Sequence, residues 1–193
     1  AKVNTINNNV SNLSTTVNNI VNNGVSTKYF HANSTGADST ASGTNSIAIG
    51  QAAVASDVNA IAEGNQAWSA FNATAIGAAA TASSNGDTAL GTNSLASGTG
   101  AYSAATTIGY GATASGASTV ALGGFSSAVA SGATAVGAGT KAGASNAVAL
   151  GNAANASAAN SVALGANSTT TANLSAAGYN PGTATLSGIA SAA

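Results

Sequence analysis

The sequence predicts an all-β solenoid, a parallel β-roll of about nine 14-residue coils, preceded by a short α-helical coiled coil that joins several copies of the chain. Three observations carry this reading. Apolar residues alternate at spacings of three and four over residues 3–20. A short block closed by glycine then recurs at a nearly fixed interval, which is the signature of stacked repeats. The composition, 50 alanines and 24 glycines among 193 residues, leaves too few large apolar side chains for one thick core.

At the N-terminus Val3, Ile6, Val10, Leu13, Val17 and Ile20 form an a/d seam almost three heptads long, separated by polar residues that are mostly asparagine. Asparagine is a poor helix former and a lone helix of this length is marginal in water, so the segment is helical only with its seam covered by sister chains. Valine at a with mainly isoleucine at d disfavours the simple dimer and allows a trimer, although propensity does not fix the number. Gly24 ends the helix. The stalk is assigned to 1–24 and the passage into the head to 25–36.

The repeat fills 37–167. Its blocks run from Asn45-Ser46-Ile47-Ala48-Ile49-Gly50 to Asn160-Ser161-Val162-Ala163-Leu164-Gly165. The closing glycines are Gly50, Gly64, Gly77, Gly91, Gly109, Gly123, Gly137, Gly151 and Gly165, so one coil is a residue short and one carries four extra residues, around Leu95 to Ala105. About fourteen residues hold two short strands and two turns, each strand stacking on its equivalent in the next coil. Counted from the residue after each glycine, positions 10, 12 and 14 are small, as in Ala147, Ala149 and Gly151, and position 5 is usually alanine. Side chains alternate across a strand, and a roll two strands around has room inside only for small ones. Positions 11 and 13 therefore point outward. That row, Ile47, Ile49, Ile76, Leu90, Val120, Leu122, Val136, Val148, Leu150, Val162 and Leu164, is too apolar to stay wet and is assigned to a subunit interface. Position 4, with Thr81, Thr113, Ser127, Lys141 or Asn155, reads as the solvent face. Glu63 interrupts the apolar row, through either a local distortion or a carboxylate that reaches solvent or a polar partner. After Ser168 the repeat lapses, and Tyr179-Asn180-Pro181-Gly182 suggests a turn into a connector or further domain over 168–193.

The chemistry available is narrow. One histidine, no cysteine and four isolated carboxylates (Asp38, Asp57, Glu63, Asp87) supply neither a metal site nor a nucleophile with its base, so neither an enzyme nor a cofactor is expected. Seven charged residues with a net charge of −1 form no basic patch for nucleic acid or anionic lipid. With no signal peptide and no run of 18 apolar residues, the sequence reads as an internal piece of a longer chain without its own anchor. His31 is read as a structural residue at the stalk-to-head junction, and Gly137-Ala138-Gly139-Thr140-Lys141 as a repeat turn rather than a phosphate loop. Trp68, Phe71, Tyr102 and Phe125, with Tyr110, are the candidate ligand surface; the competing reading is that they shield turns and roll ends.

The nine blocks, the heptad stalk and the segment Lys28-Tyr29-Phe30-His31-Ala32-Asn33-Ser34 together resemble the heads of trimeric autotransporter adhesins of the YadA-like family, over roughly 1–167. What this resemblance implies is a left-handed roll, three of which associate about one axis, displayed at the cell surface on the outer membrane of a Gram-negative bacterium. It implies anchoring through a C-terminal barrel absent from this sequence. It also implies attachment to host cells or extracellular-matrix proteins, self-association and biofilm formation. The alternative is a structural spacer. An ice-binding solenoid fits poorly, because position 4 mixes Val54, Thr81, Ser127, Lys141 and Asn155 where a regular threonine array is needed.

Overall fold

A computed structural model describes residues 2–23, 35–100 and 104–170, and of residues 18–23 the backbone only. The chain divides into two compact units, Ala1–Thr35 and Gly36–Ala193. In the first, a helix spans Lys2–Asn23. The hydroxyls of Thr15 and Thr16 donate to the carbonyls of Ser11 and Asn12 at 3.0 and 2.9 Å, a back-bonding that satisfies the hydroxyls and slightly weakens the helix. Val3, Ile6, Val10, Leu13 and Val17 are all exposed, so the apolar seam has no cover within the described chain. The Ile20 side chain, Gly24 and the segment holding His31 lie outside the described residues, as do Tyr102 and residues 171–193.

The second unit is built by small side chains. Among the described residues two parallel sheets run side by side, one of ten two-residue strands from Thr40–Ala41 to Thr169–Thr170, the other of nine three-residue strands from Ile47–Ile49 to Val162–Leu164. Successive strands alternate between the sheets, so each coil gives one strand to each: an all-β parallel solenoid of about nine turns. Equivalent residues stand in line from coil to coil, with Thr134 beside Val148, which in turn lies beside Val162. The short coil keeps the alignment, with Ile61 beside Thr74, and so does the long one, with Thr88 beside Thr106. Their length differences are absorbed in the turns. Each inner strand is hydrogen-bonded on both sides: Val120 N–H donates forward to Ala133 at 3.0 Å and Gly123 N–H donates back to Ile108 at 2.7 Å.

The lumen is a stack of methyl groups. Ala62, Ala75, Ala89, Ala121, Ala135 and Ala149 from one sheet meet Ala55, Ala82, Ala96, Ala114, Ala128 and Ala142 from the other, all fully buried. Each contributes only a methyl, about 0.8 kcal/mol, so the fold depends on the number of coils and on the backbone ladders between them. Position 14 departs from the sequence expectation. Its glycine does not line the lumen: the strand ends one residue earlier, and the glycine takes φ of +121° to +137° from Gly50 to Gly151. At Gly123 an added Cβ would stand 2.5 Å from the carbonyl oxygen of Gly137 in the next coil. Glycine is needed there because backbone meets backbone.

Four of the eight buried polar side chains among the described residues follow one rule. Ser94, Thr119, Ser126 and Thr140 each donate to the carbonyl three residues earlier, at 2.7 to 2.9 Å, because each directly follows a turn. Ser69 sits at position 5, beyond reach of any turn carbonyl, and its buried Oγ has no hydrogen-bond partner. A buried unsatisfied hydroxyl costs about 1–3 kcal/mol, and alanine fills the equivalent Ala55 and Ala82 positions. Ser69→Ala is therefore expected to stabilise the chain by roughly 1 kcal/mol, read as a higher denaturation midpoint at unchanged slope.

Asp87 is a further exception, and its carboxylate is hydrogen-bonded on both oxygens. In regular coils the N–H at position 10 reaches back three residues, as from Ala133 to Ala130 at 3.0 Å. The four-residue insertion breaks this pattern. Ala105 N–H donates instead to Asp87 Oδ1 at 2.9 Å, while Ser84 and Gly98 N–H donate to Oδ2 at 2.9 and 3.1 Å. A carboxylate 1% exposed thus pins both ends of the long turn.

Candidate functional site

The outward side chains of the nine-stranded sheet form two adjacent columns, one of them interrupted by Thr74, Thr88, Thr106 and Thr134. Strand alternation places Ile47, Ile49, Ile76, Val120, Leu122, Val136, Val148, Leu150, Val162 and Leu164 there with Leu90, all half-buried or exposed, against buried alanines on the other side. The rise in exposure towards Val162 and Leu164, which reaches 69%, marks the last described strand of this sheet. Two members were missed from the sequence. Ile61 lies between Ile47 and Thr74, and Ile108 between Leu90 and Leu122. Ile61 belongs to the coil that carries Glu63 and Ile108 to the long coil, and the same register count would have found both. Glu63 is exposed in this row, flanked by Ile49 and Ile76 in a regular strand, so the backbone is not distorted around it.

Asparagines edge the same coils for a conformational reason that sequence reading passed over. Asn45, Asn59, Asn72, Asn146 and Asn160 take φ of +52° to +58°, a left-handed conformation asparagine tolerates. Their amides continue the stacking: Asn59 Nδ2 donates to Asn72 Oδ1 at 2.9 Å and Asn146 Nδ2 to Asn160 Oδ1 at 3.2 Å.

The aromatic candidates do not form one patch. Trp68 is half-buried on the outer face of the ten-stranded sheet, between Val54 and Thr81, and Phe71 is exposed in the turn that follows it. Phe125 lies in the opposite turn, between the strands Val120–Leu122 and Ser127–Ala128, paired edge-on with Tyr110. The segment 137–141 is a roll turn, as expected: Thr140 points into the lumen and donates to the Gly137 carbonyl at 2.7 Å. Among the described residues no three of histidine, aspartate and glutamate lie together.

This architecture of short in-phase parallel strands, alanine lumen and outward branched row defines a class of β-solenoid. The family model described as the YadA head domain repeat, two copies per match, fits residues 41–67, 69–94, 114–140, 128–154 and 142–168. These matches take in more than half of the sequence, and the chain belongs to that family. It is also similar to the crystal structure of the collagen-binding domain of the Yersinia adhesin YadA, at 33% identity and a TM-score of 0.46, over 67% of this chain. The chain spans 63% of that domain's length. No curated protein sequence matches it.

Proposed function

We propose that this chain is a head segment of a homotrimeric surface adhesin, which attaches a Gram-negative bacterium to host cells or extracellular-matrix proteins and contributes to self-association and biofilm. The carrying observation is that two separate units both present uncovered apolar faces: the seam Val3 to Val17 on the helix and the row Ile47 to Leu164 on the roll. Covering a branched side chain gains about 1.5–3 kcal/mol. A row of this length therefore exceeds the roughly 4–15 kcal/mol that association costs in lost freedom. Heptad spacing and membership of the YadA head family favour three copies in a left-handed roll over other arrangements, with the stalk as a trimeric coiled coil. The adhesin is displayed from the outer membrane through a C-terminal barrel of the longer protein. It acts without catalysis or cofactor, through many weak contacts multiplied by three copies per assembly.

Sedimentation tests the assembly. The chain is expected at three times its 17.8 kDa, and the pair Val148→Asn and Leu150→Asn, which leaves every lumen alanine in place, is expected to shift it towards lower mass. A native monomer overturns the reading. The competing role, a spacer that holds another domain away from the cell, is separated by grafting residues 37–167 onto an inert trimeric stalk. Adhesion to collagen, fibronectin, laminin or epithelial cells above that of the stalk alone supports the adhesin, and no gain supports the spacer.

A further inference from the structure

Phe125 breaks a pattern that the other coils keep. The second residue of this turn takes a left-handed backbone in each coil, and elsewhere it is never aromatic, as in Ala79 (φ +54°), Asn93 (+57°), Gly139 (+65°) and Asn167 (+59°). Phe125 holds φ +57° with an aromatic side chain, a conformation bulky residues adopt only under strain. Burial does not compensate, since Phe125 is 66% exposed. Its ring stands edge-on to Tyr110, itself 53% exposed, with centroids 5.2 Å apart at 79°. It also lies over the bare Cα of Gly111, where a Cβ would come within 3.1 Å of the ring. Strain retained at an exposed position points to use rather than packing.

We infer that Tyr110 and Phe125 form a binding site for an uncharged sugar ring, a pyranose of a neutral oligosaccharide. Both rings are more than half exposed and stand perpendicular, so aromatic surface is left to solvent, and the C–H face of a pyranose stacks on such a face as other flat apolar groups do. The hydroxyls at its rim need polar side chains, because the local backbone amides are engaged: Phe125 N–H donates to Tyr110, Gly111 N–H to Thr92 and Gly139 N–H to Gly124. Exposed Thr92 and Asn93, in the preceding coil, are next to the pair. Carboxylates are absent from these coils, since Asp57, Glu63 and Asp87 belong to earlier ones. The nearby cation, exposed Lys141, stands beside Ser127, two residues beyond Phe125, and one such charge outside the ring pair supplies no built anion site. A protein partner needs about 800 Å² per side around such an anchor, whereas Gly124, Ala138 and Gly139 surround this one.

The site goes beyond the adhesin reading and does not require it, since a spacer could carry it too. The test uses the full chain in its native assembly on immobilised oligosaccharides, neutral ones ending in glucose, galactose, mannose or N-acetylglucosamine beside sialylated and sulfated ones. Capture is expected on neutral glycans, reduced about tenfold or more in Phe125→Asn and in Tyr110→Thr. Phe125→Asn is expected to unfold at the same or a higher temperature, because asparagine accepts this backbone at Asn93 and Asn167, and to keep the native mass. The inference is overturned if no neutral glycan is captured, or if capture survives Phe125→Asn. It is equally overturned if that variant loses mass or stability, which makes the rings packing groups, or if a proline-rich peptide is held through these rings in place of sugar. Adhesion to collagen measured in parallel reports on the adhesin reading separately.

Discussion

Gly123→Ala is expected to open the coil stack, at a cost above about 4 kcal/mol. The backbone at this residue has φ +127°, a region reached almost only by glycine, and the new methyl would lie 2.5 Å from the Gly137 oxygen and 2.6 Å from its carbon. Neither atom can rotate aside, since both are backbone of the next coil. Gly143→Ala is the control: nothing lies within 4 Å of its added Cβ and its φ is not in the left-handed region, so it should change stability by less than about 0.5 kcal/mol. Denaturant midpoints of the two variants decide the matter. Equal midpoints would mean that the coils can separate locally, and that the glycine column is dispensable.

The second large effect is at Asp87. Asp87→Ala leaves the N–H groups of Ser84, Gly98 and Ala105 without their shared acceptor in a buried place, and is expected to lower stability by about 3–5 kcal/mol. Asp87→Asn keeps one acceptor oxygen and faces an N–H with its own amide, so it should lose about 1–3 kcal/mol. Amide exchange sharpens the test. Protection of Ala105 and Gly98 should fall in both variants before that of Val148 or Leu150, which lie several coils away. Uniform loss across the roll would show that the carboxylate supports the whole stack rather than one turn.

Much of the roll was legible because its constraints repeat. Alanine at position 12 and branched residues at 11 and 13 recur in coil after coil, so Ala121 could be placed inside and Val120 and Leu122 outside from size alone. What escaped notice was whatever happens once. Asp87 looked like one more scattered carboxylate, because the N–H groups it accepts are freed by an insertion elsewhere in the chain. Ser69 replaces alanine by an apparently small change, and only the distance from a turn makes it costly. The glycine at position 14 was read by size, as lumen, when its φ is what matters. The pairing of Tyr110 with Phe125 depends on one coil lying on the next, and fifteen residues of sequence separation hid it.

Since the joints between the regular coils are alike, the roll could change its length in discrete steps. Excising residues 138–151 would join Gly137 to Asn152 and leave on either side a seam like those already present, shorter by one rung of about 4.8 Å. Length is thus separable from stacking in this fold: a rung can be taken out while every surviving rung keeps a neighbour of the same kind.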